Sequence, residues 1–193
     1  MPTSQITIGS RLFLQKTLKN ATDSDPSVNL IKDLYNIIAD HVHARHQQSK
    51  FLSWDRTEIL AQLTEPDTEF IILFDAETVA AFTCYQFSTE NDMNDLPVPV
   101  LYCYQLHVLR AYRGLGLGTL LLSQLEALAR ANPERAHKVM LTAFKPLPRL
   151  KWYKSPVEFY TKLGYCPDPI SPSQCLKAAE SRNYDYEILS KNV

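Results

Sequence analysis

Between residues 30 and 48 the apolar positions Leu30, Ile31, Leu34, Tyr35, Ile37, Ile38 and Val42 recur at helical spacing, which predicts an amphipathic helix with one face turned to a core. The period then changes. EFIILF (69–74) is a short continuous apolar run of strand type, DAET reads as a turn, and VAAFTCYQF (79–87) reads as the hairpin partner. VPVLYCYQLHVL (98–109), rich in β-branched and aromatic residues, predicts a long strand. In TLLLSQLEALARA (119–131) the helical period returns, with Leu121, Leu125 and Leu128 on one face and Asn132-Pro133 as the stop. KVMLTAF (138–144) is a strand, PVEFYTKL a short helix with Pro156 in its first turn and Gly164 at its C-terminal cap, and YDYEILS (184–190) a last strand.

The segments between these elements are read as loops: Trp54 on the exit from the first helix, the acidic STENDMNDLP (88–97), the Pro- and Lys-rich KPLPRLKWYK (145–154), and CPDPISPSQ (166–174). Residues 1–29 pair a short apolar patch with the polar NATDSDPS and are expected to form an arm partly ordered on a domain of residues 30–193. No internal repeat is visible. Helix, hairpin, long strand, helix, strand, helix, strand is the order of an α/β domain with a mixed sheet flanked by helices.

Composition narrows the function classes. Apolar residues make up 45% of 193 and charged residues 21%, and no apolar run approaches the ~18 residues of a membrane span, so a globular chain is expected. Twenty Lys and Arg against twenty-one Asp and Glu leave a net charge of −1, which gives no support to phosphate-driven nucleic-acid binding. Cys84, Cys103, Cys166 and Cys175 form no CxxC pair and no zinc-spaced cluster, so free thiols and no metal are expected. The N-terminus has neither a secretory h-region nor a transit-peptide composition.

The stretch that carries chemistry is Arg113-Gly114-Leu115-Gly116-Leu117-Gly118-Thr119, set between a strand and a helix and holding three of the chain's five glycines. Glycines there let a backbone approach a ligand closely and present successive N–H groups at the positive end of a helix, which suits pyrophosphate. A dinucleotide fold would need an acid at the end of the next strand, where Phe144-Lys145 stands, and a Walker loop would need Lys-Ser/Thr after the last glycine. A plain glycine turn without ligand is the bland alternative.

With FYTKLGY (159–165) downstream, Arg113-x-x-Gly116-x-Gly118 resembles the acetyl-CoA loop and C-terminal signature of the GNAT N-acetyltransferases, over roughly residues 30–190. Leu101-Tyr102-Cys103-Tyr104, Lys138-Val139-Met140-Leu141-Thr142, Ser171-Pro172-Ser173 and Tyr186-Glu187-Ile188-Leu189-Ser190 are further similar to the NatD N-terminal acetyltransferases. That resemblance implies a GNAT fold, a mostly antiparallel sheet splayed between two central parallel strands. It also implies acetyl-CoA as cosubstrate and direct attack by the α-amine of core histones beginning Ser-Gly-Arg-Gly. Basic histone tails would be the partners, with no auxiliary subunit, and the location nuclear and cytoplasmic.

Carried onto this chain, the resemblance implies acetyl-CoA contacts from the backbone of Leu106, His107 and Val108 and from the loop running from Arg113 to Thr119. The catalytic candidates are Tyr102, Tyr104, Gln105 and Tyr160; Trp54, Ser88, Tyr104, Thr142 and Tyr186 are the acceptor-side candidates. Gln105 stands where the NatD pattern has Glu, and Ser88 where an acid is expected. A strong base is dispensable for an α-amine, whose pKa of about 7.7–8.0 leaves a fraction neutral near pH 7.4. A water held by Tyr102, Tyr104 or Gln105 would then suffice. Other readings stay open. Tyr102, Tyr104 and Thr142 also suit ordinary strand packing, Tyr160 a helical core, and Trp54 a staple onto the core. A GNAT for lysine or small amines and a non-catalytic acyl-CoA module are the functional alternatives.

Overall fold

The computed structural model describes residues 3–19, 27–146 and 155–193. Among them are β1 (Thr3–Ile8), β2 (Arg11–Lys19), α1 (Ser27–His46), α2 (Arg56–Thr64), β3 (Glu69–Asp75), β4 (Thr78–Asn91) and β5 (Pro97–Val108). A 3-10 turn at Arg110–Tyr112 leads to α3 (Leu117–Ala131), β6 (Lys138–Phe144), α4 (Val157–Lys162), β7 (Cys166–Pro167), α5 (Pro172–Cys175), α6 (Ala178–Ser181) and β8 (Tyr186–Asn192). The strand order is β1-β2-β3-β4-β5-β6-β8-β7. β5 and β6 are parallel, and β1–β2, β2–β3, β3–β4, β6–β8 and β7–β8 are antiparallel. The mixed sheet expected from the element order is what the chain forms.

Contacts divide the chain into two compact units, one of Met1–Ala44, Trp54–Gln86 and Tyr104–Gln124, the other of Arg45–Ser53, Phe87–Cys103 and Leu125–Val193. In the first, the α1 stripe Ile31, Leu34 and Ile38 is buried with Leu18, Leu63, Phe70, Ile72, Phe82 and Cys84. These residues form one cluster because helical spacing on α1 and alternate positions on β3 and β4 each turn one face inward. In the second, Val100, Leu101, Val139, Leu141, Tyr165 and Leu189 are buried.

Four features depart from the pattern reading. Residues 3–8 and 11–19 are strands that extend the sheet, β2 pairing with β3 from Leu14↔Phe74 to Lys19↔Glu69. β4 runs on through Ser88 to Asn91, so Ser88 sits in a strand rather than in the expected acidic loop. α2 was not expected; Asp55 caps it, accepting N–H groups from Thr57 and Glu58 at 2.6 and 3.2 Å. The two-residue strand β7 and the single-turn helix α5 fall where loop was read, and α6 follows in a stretch to which no element was assigned. Most of the expected loop 145–154 lies outside the described residues.

Candidate functional site

In the first unit, the far half of β5 leads into the glycine loop. Gly114 and Gly116 have φ of +80° and +84°, and a Cβ built on either meets nothing within 4 Å. A positive φ selects glycine, and the open space above it leaves the backbone accessible. Gly116 also starts α3, its carbonyl accepting the N–H of Leu120 at 2.9 Å. Leu117 is buried and anchors the helix start, while Thr119 on the first turn is exposed. Arg113 folds back, its Nε donating to the carbonyl of Val108 at 3.1 Å. Leu115 is half-buried beside it in the chain.

His107 is buried, with Nε2 at 2.9 Å from Gln105 Oε1 and Nδ1 at 3.1 Å from His41 Nδ1, and its ring stacks on Phe82. A carboxamide oxygen only accepts, so Nε2 carries the proton and His41 donates to the bare Nδ1. Burial, with His41 and Arg113 nearby, lowers the His107 pKa to about 3, so the imidazole stays neutral. Its side chain is thus committed to holding Gln105. The backbone of Leu106, His107 and Val108 is the part of this strand that the resemblance assigns to the cosubstrate. Tyr104 packs on the edge of the core cluster, as does Trp54, whose ring lies 6.0 Å from Tyr35 and 4.8 Å from His43. This packing is what the staple reading of Trp54 expects.

In the second unit, the β5–β6 register runs from Val100↔Lys138 only to Cys103↔Leu141, although β5 continues to Val108 and β6 to Phe144. Tyr102 Oη and Thr142 Oγ1 are hydrogen-bonded at 2.6 Å. The β6–β8 register pairs Thr142 with Ile188 and Phe144 with Tyr186, so Thr142, Phe144 and Tyr186 share one sheet face. The catalytic candidate Tyr102 and the acceptor-side candidates Ser88, Thr142 and Tyr186 therefore fall within one unit. Ser88 is half-buried in β4 and lines a shallow cavity with Phe87 and Arg135. Tyr160 is buried in α4, edge-on to Tyr165 at 6.1 Å.

Sequence reasoning missed two groups here. Arg45, 0% exposed, pairs with Asp185 at 3.0 Å, also reaches the Asp185 carbonyl, and lies over the Phe144 ring at 4.2 Å. Its helical spacing from Ile31, Leu34 and Ile38 was the available signal. Glu187 was quoted only within a motif. It accepts hydrogen bonds from Ser171 at 2.5 Å and Ser173 at 2.6 Å and pairs with Lys145 at 2.9 Å, tying the Ser-Pro-Ser segment to β8. Burial by itself would raise the Glu187 pKa, but hydrogen bonds from Ser171, Ser173 and Lys145 outweigh it and hold the carboxyl below its ordinary value. A depressed carboxylate pKa adds stability above the unfolded value, near 4.5, and that stability is lost as pH falls through the folded value. Glu187→Gln is therefore expected to lower the melting temperature at pH 7 and to flatten part of the decline below about pH 4.5, as measured by thermal melts across pH. A decline identical to wild type would show that the cluster contributes nothing.

Among the described residues no three His, Cys, Asp or Glu side chains gather as a metal site, and no helix is long and apolar enough to cross a membrane. All four cysteines are free, Cys84 and Cys103 buried, Cys166 and Cys175 exposed.

The family profile described as "Acetyltransferase (GNAT) family" matches residues 31–165, from α1 through the glycine loop to Tyr165. The chain belongs to the GNAT acetyltransferases. It is 25% identical over 153 residues to N-alpha-acetyltransferase 40 of Saccharomyces cerevisiae, an alignment that takes in 71% of this chain and 53% of that protein. The chain thus spans about half the length of this curated relative. Solved GNAT structures share the fold. A GNAT acetyltransferase of Listeria monocytogenes aligns with a TM-score of 0.61 at 13% identity over 98% of this chain and 100% of its own. Arabidopsis thaliana NAA60 in complex with a bisubstrate analogue aligns at 0.60 and 13%, over 93% and 99%. Arabidopsis thaliana Naa50, bound to the bisubstrate analogue CoA-Ac-MVNAL, aligns at 0.54 and 14%, again over 93% and 99%.

GNAT acetyltransferases use acetyl-CoA, and the loop of this chain fits it: two positive-φ glycines with nothing above them leave N–H groups open at the start of a fifteen-residue helix. The loop from Arg113 to Thr119 would hold the pyrophosphate, and acetyl-CoA supplies the activated thioester.

Proposed function

We propose that this GNAT acetyltransferase is an N-terminal acetyltransferase of the NatD kind, acting on the α-amine of polypeptides that begin Ser-Gly, with basic histone tails as its substrates in nucleus and cytoplasm. The observation that carries the reading is the placement of Tyr102, Thr142 and Tyr186 in one unit, Tyr102 and Thr142 joined through their hydroxyls and Tyr186 on the Thr142 face. Likeness to N-alpha-acetyltransferase 40 and to the NAA60 and Naa50 folds supports the N-terminal acceptor class.

The residues suit an acceptor that needs little deprotonation. No carboxylate stands at position 105, and Gln105 is turned to His107, where its oxygen accepts. A neutral α-amine requires only that a proton be carried off after attack, which hydroxyls and an ordered water at Tyr102 and Thr142 can do. A lysine amine, with a pKa near 10.4, would be almost wholly protonated without a base.

The test is turnover of Ser-Gly-Arg-Gly-Lys with acetyl-CoA, with the N-terminus free or blocked. Acetyl on the N-terminal serine of the free peptide, and a loss of at least about a hundredfold on blocking, is the expected result. Acetyl on lysine would overturn the N-terminal reading. Acetyl-CoA binding without turnover would favour the non-catalytic module.

A further inference from the structure

Arg11, Phe13 and Gln15 stand at alternate positions of β2 and so share one face of the sheet. All three reach a flank of the glycine loop. Phe13, fully buried, meets the Tyr112 ring edge-on at 6.2 Å, and the Arg11 guanidinium lies over the same ring at 5.8 Å. Tyr112 is the last residue of the 3-10 turn and immediately precedes the loop, and the Asp75 carboxylate at the end of β3 stands near its hydroxyl. Beyond the loop, Gln15 Oε1 accepts a carboxamide N–H of Gln124 at 2.8 Å, about two turns into α3. β2 is itself fixed on both sides. It pairs with β3 from Leu14 to Lys19, while on β1 Ile6 pairs with Phe13 and Ile8 with Arg11. Core packing accounts for Phe13 alone. Arg11 is exposed and Gln15 half-buried, and both still reach the flanks of the loop.

We propose that this face of β2 is a positioning element for acetyl-CoA: by gripping Tyr112 before the loop and Gln124 after it, it holds Arg113–Gly118 in the form that receives the pyrophosphate. The physical reason lies in the glycines. With glycine at 114, 116 and 118 the loop has the greatest backbone freedom a chain can have, and ordering it on binding would weaken affinity. Its own ties are local, Arg113 Nε to the Val108 carbonyl and the Tyr112 N–H to the Leu109 carbonyl. Contacts from a strand about a hundred residues away restrict that freedom before the ligand arrives, which is preorganisation. The N-terminal hairpin thereby acquires a part in cosubstrate binding. The inference stands on the family and its cosubstrate, and is independent of which acceptor is used.

Two measurements test it, acetyl-CoA affinity by calorimetry and backbone amide exchange of the unliganded protein by mass spectrometry. The variants are Tyr112→Ala, Tyr112→Phe and the double variant Arg11→Ala/Gln15→Ala. Tyr112→Ala is expected to raise Kd about five- to tenfold and to speed exchange over residues 113–119 while β6 keeps its wild-type protection. Tyr112→Phe keeps the ring and should stay within about twofold of wild type. The double variant should raise Kd about threefold, and it decides alone where Tyr112→Ala does not fold. Wild-type affinity in the double variant overturns the role of β2, and in Tyr112→Ala the role of the ring. Exchange that quickens equally in β6 and in the loop also overturns the proposal, since it reports lost global stability rather than a loosened loop. Absence of acetyl-CoA binding in the wild type would instead remove the pyrophosphate from this loop, and the exchange comparison then decides whether β2 holds it.

Discussion

The melting temperature of the wild-type chain is expected to rise with acetyl-CoA and that of Gly116→Val to stay where it is. A ligand at a hundred times its Kd stabilises the folded state by about 2.7 kcal/mol, which for a chain of this size corresponds to roughly 5–10 °C. Valine acts against this in two ways. At φ +84° a β-branched residue is strained, costing on the order of 1–3 kcal/mol or forcing the loop to another conformation. Where the loop keeps its conformation, the side chain stands in the open space above residue 116 that a phosphate needs. Comparing unliganded melts separates the strain from the loss of binding, and Gly116→Ala should fall between the two. A ligand-induced shift of wild-type size in Gly116→Val would remove the pyrophosphate from this loop.

Arg45→Ala is expected to cost about 3 kcal/mol and to lower the melting temperature by roughly 10 °C. The arginine is fully buried, and its removal leaves a cavity against Phe144 and takes away two hydrogen bonds to Asp185. The figure lies at the low end for a broken buried pair because Asp185 is 19% exposed and regains water. Arg45→Met, which fills the space without the charge, should recover part of the loss. Calorimetric or chemical unfolding reads both, and a cost below about 1 kcal/mol for Arg45→Ala would mean that the pair contributes little to the fold.

How far the chain could be read in advance depended on how each element buries its residues. α1, β3, α3 and β6 have one dominant environment, so their periods show directly, and the glycine loop was legible because three closely spaced glycines stand between a strand and a helix, separated from the strand only by a short 3-10 turn. β1 and β2 escaped because neither has a clean alternation; β1 is exposed at four of its six positions. α2 buries only Leu63, and its one strong signal was the cap, Asp55 followed three residues on by Glu58. Single-turn helices such as α5 have no period to detect.

Local pattern therefore decided the long elements, the faces they bury and the position of the glycine loop, because each depends on residues within a turn or a strand of one another. Register decided the rest. That Tyr102 meets Thr142 across 40 positions, that Arg45 finds Asp185 across 140, and that His107 turns to His41 across 66 follow from which strands and helices pack together. A contact between residues so far apart leaves no period in the chain. Only the folded structure shows that Gln105 is held by a neutral histidine and that Phe13 and Arg11 meet Tyr112 ahead of the glycine loop, since burial and pairing are properties of the assembled core.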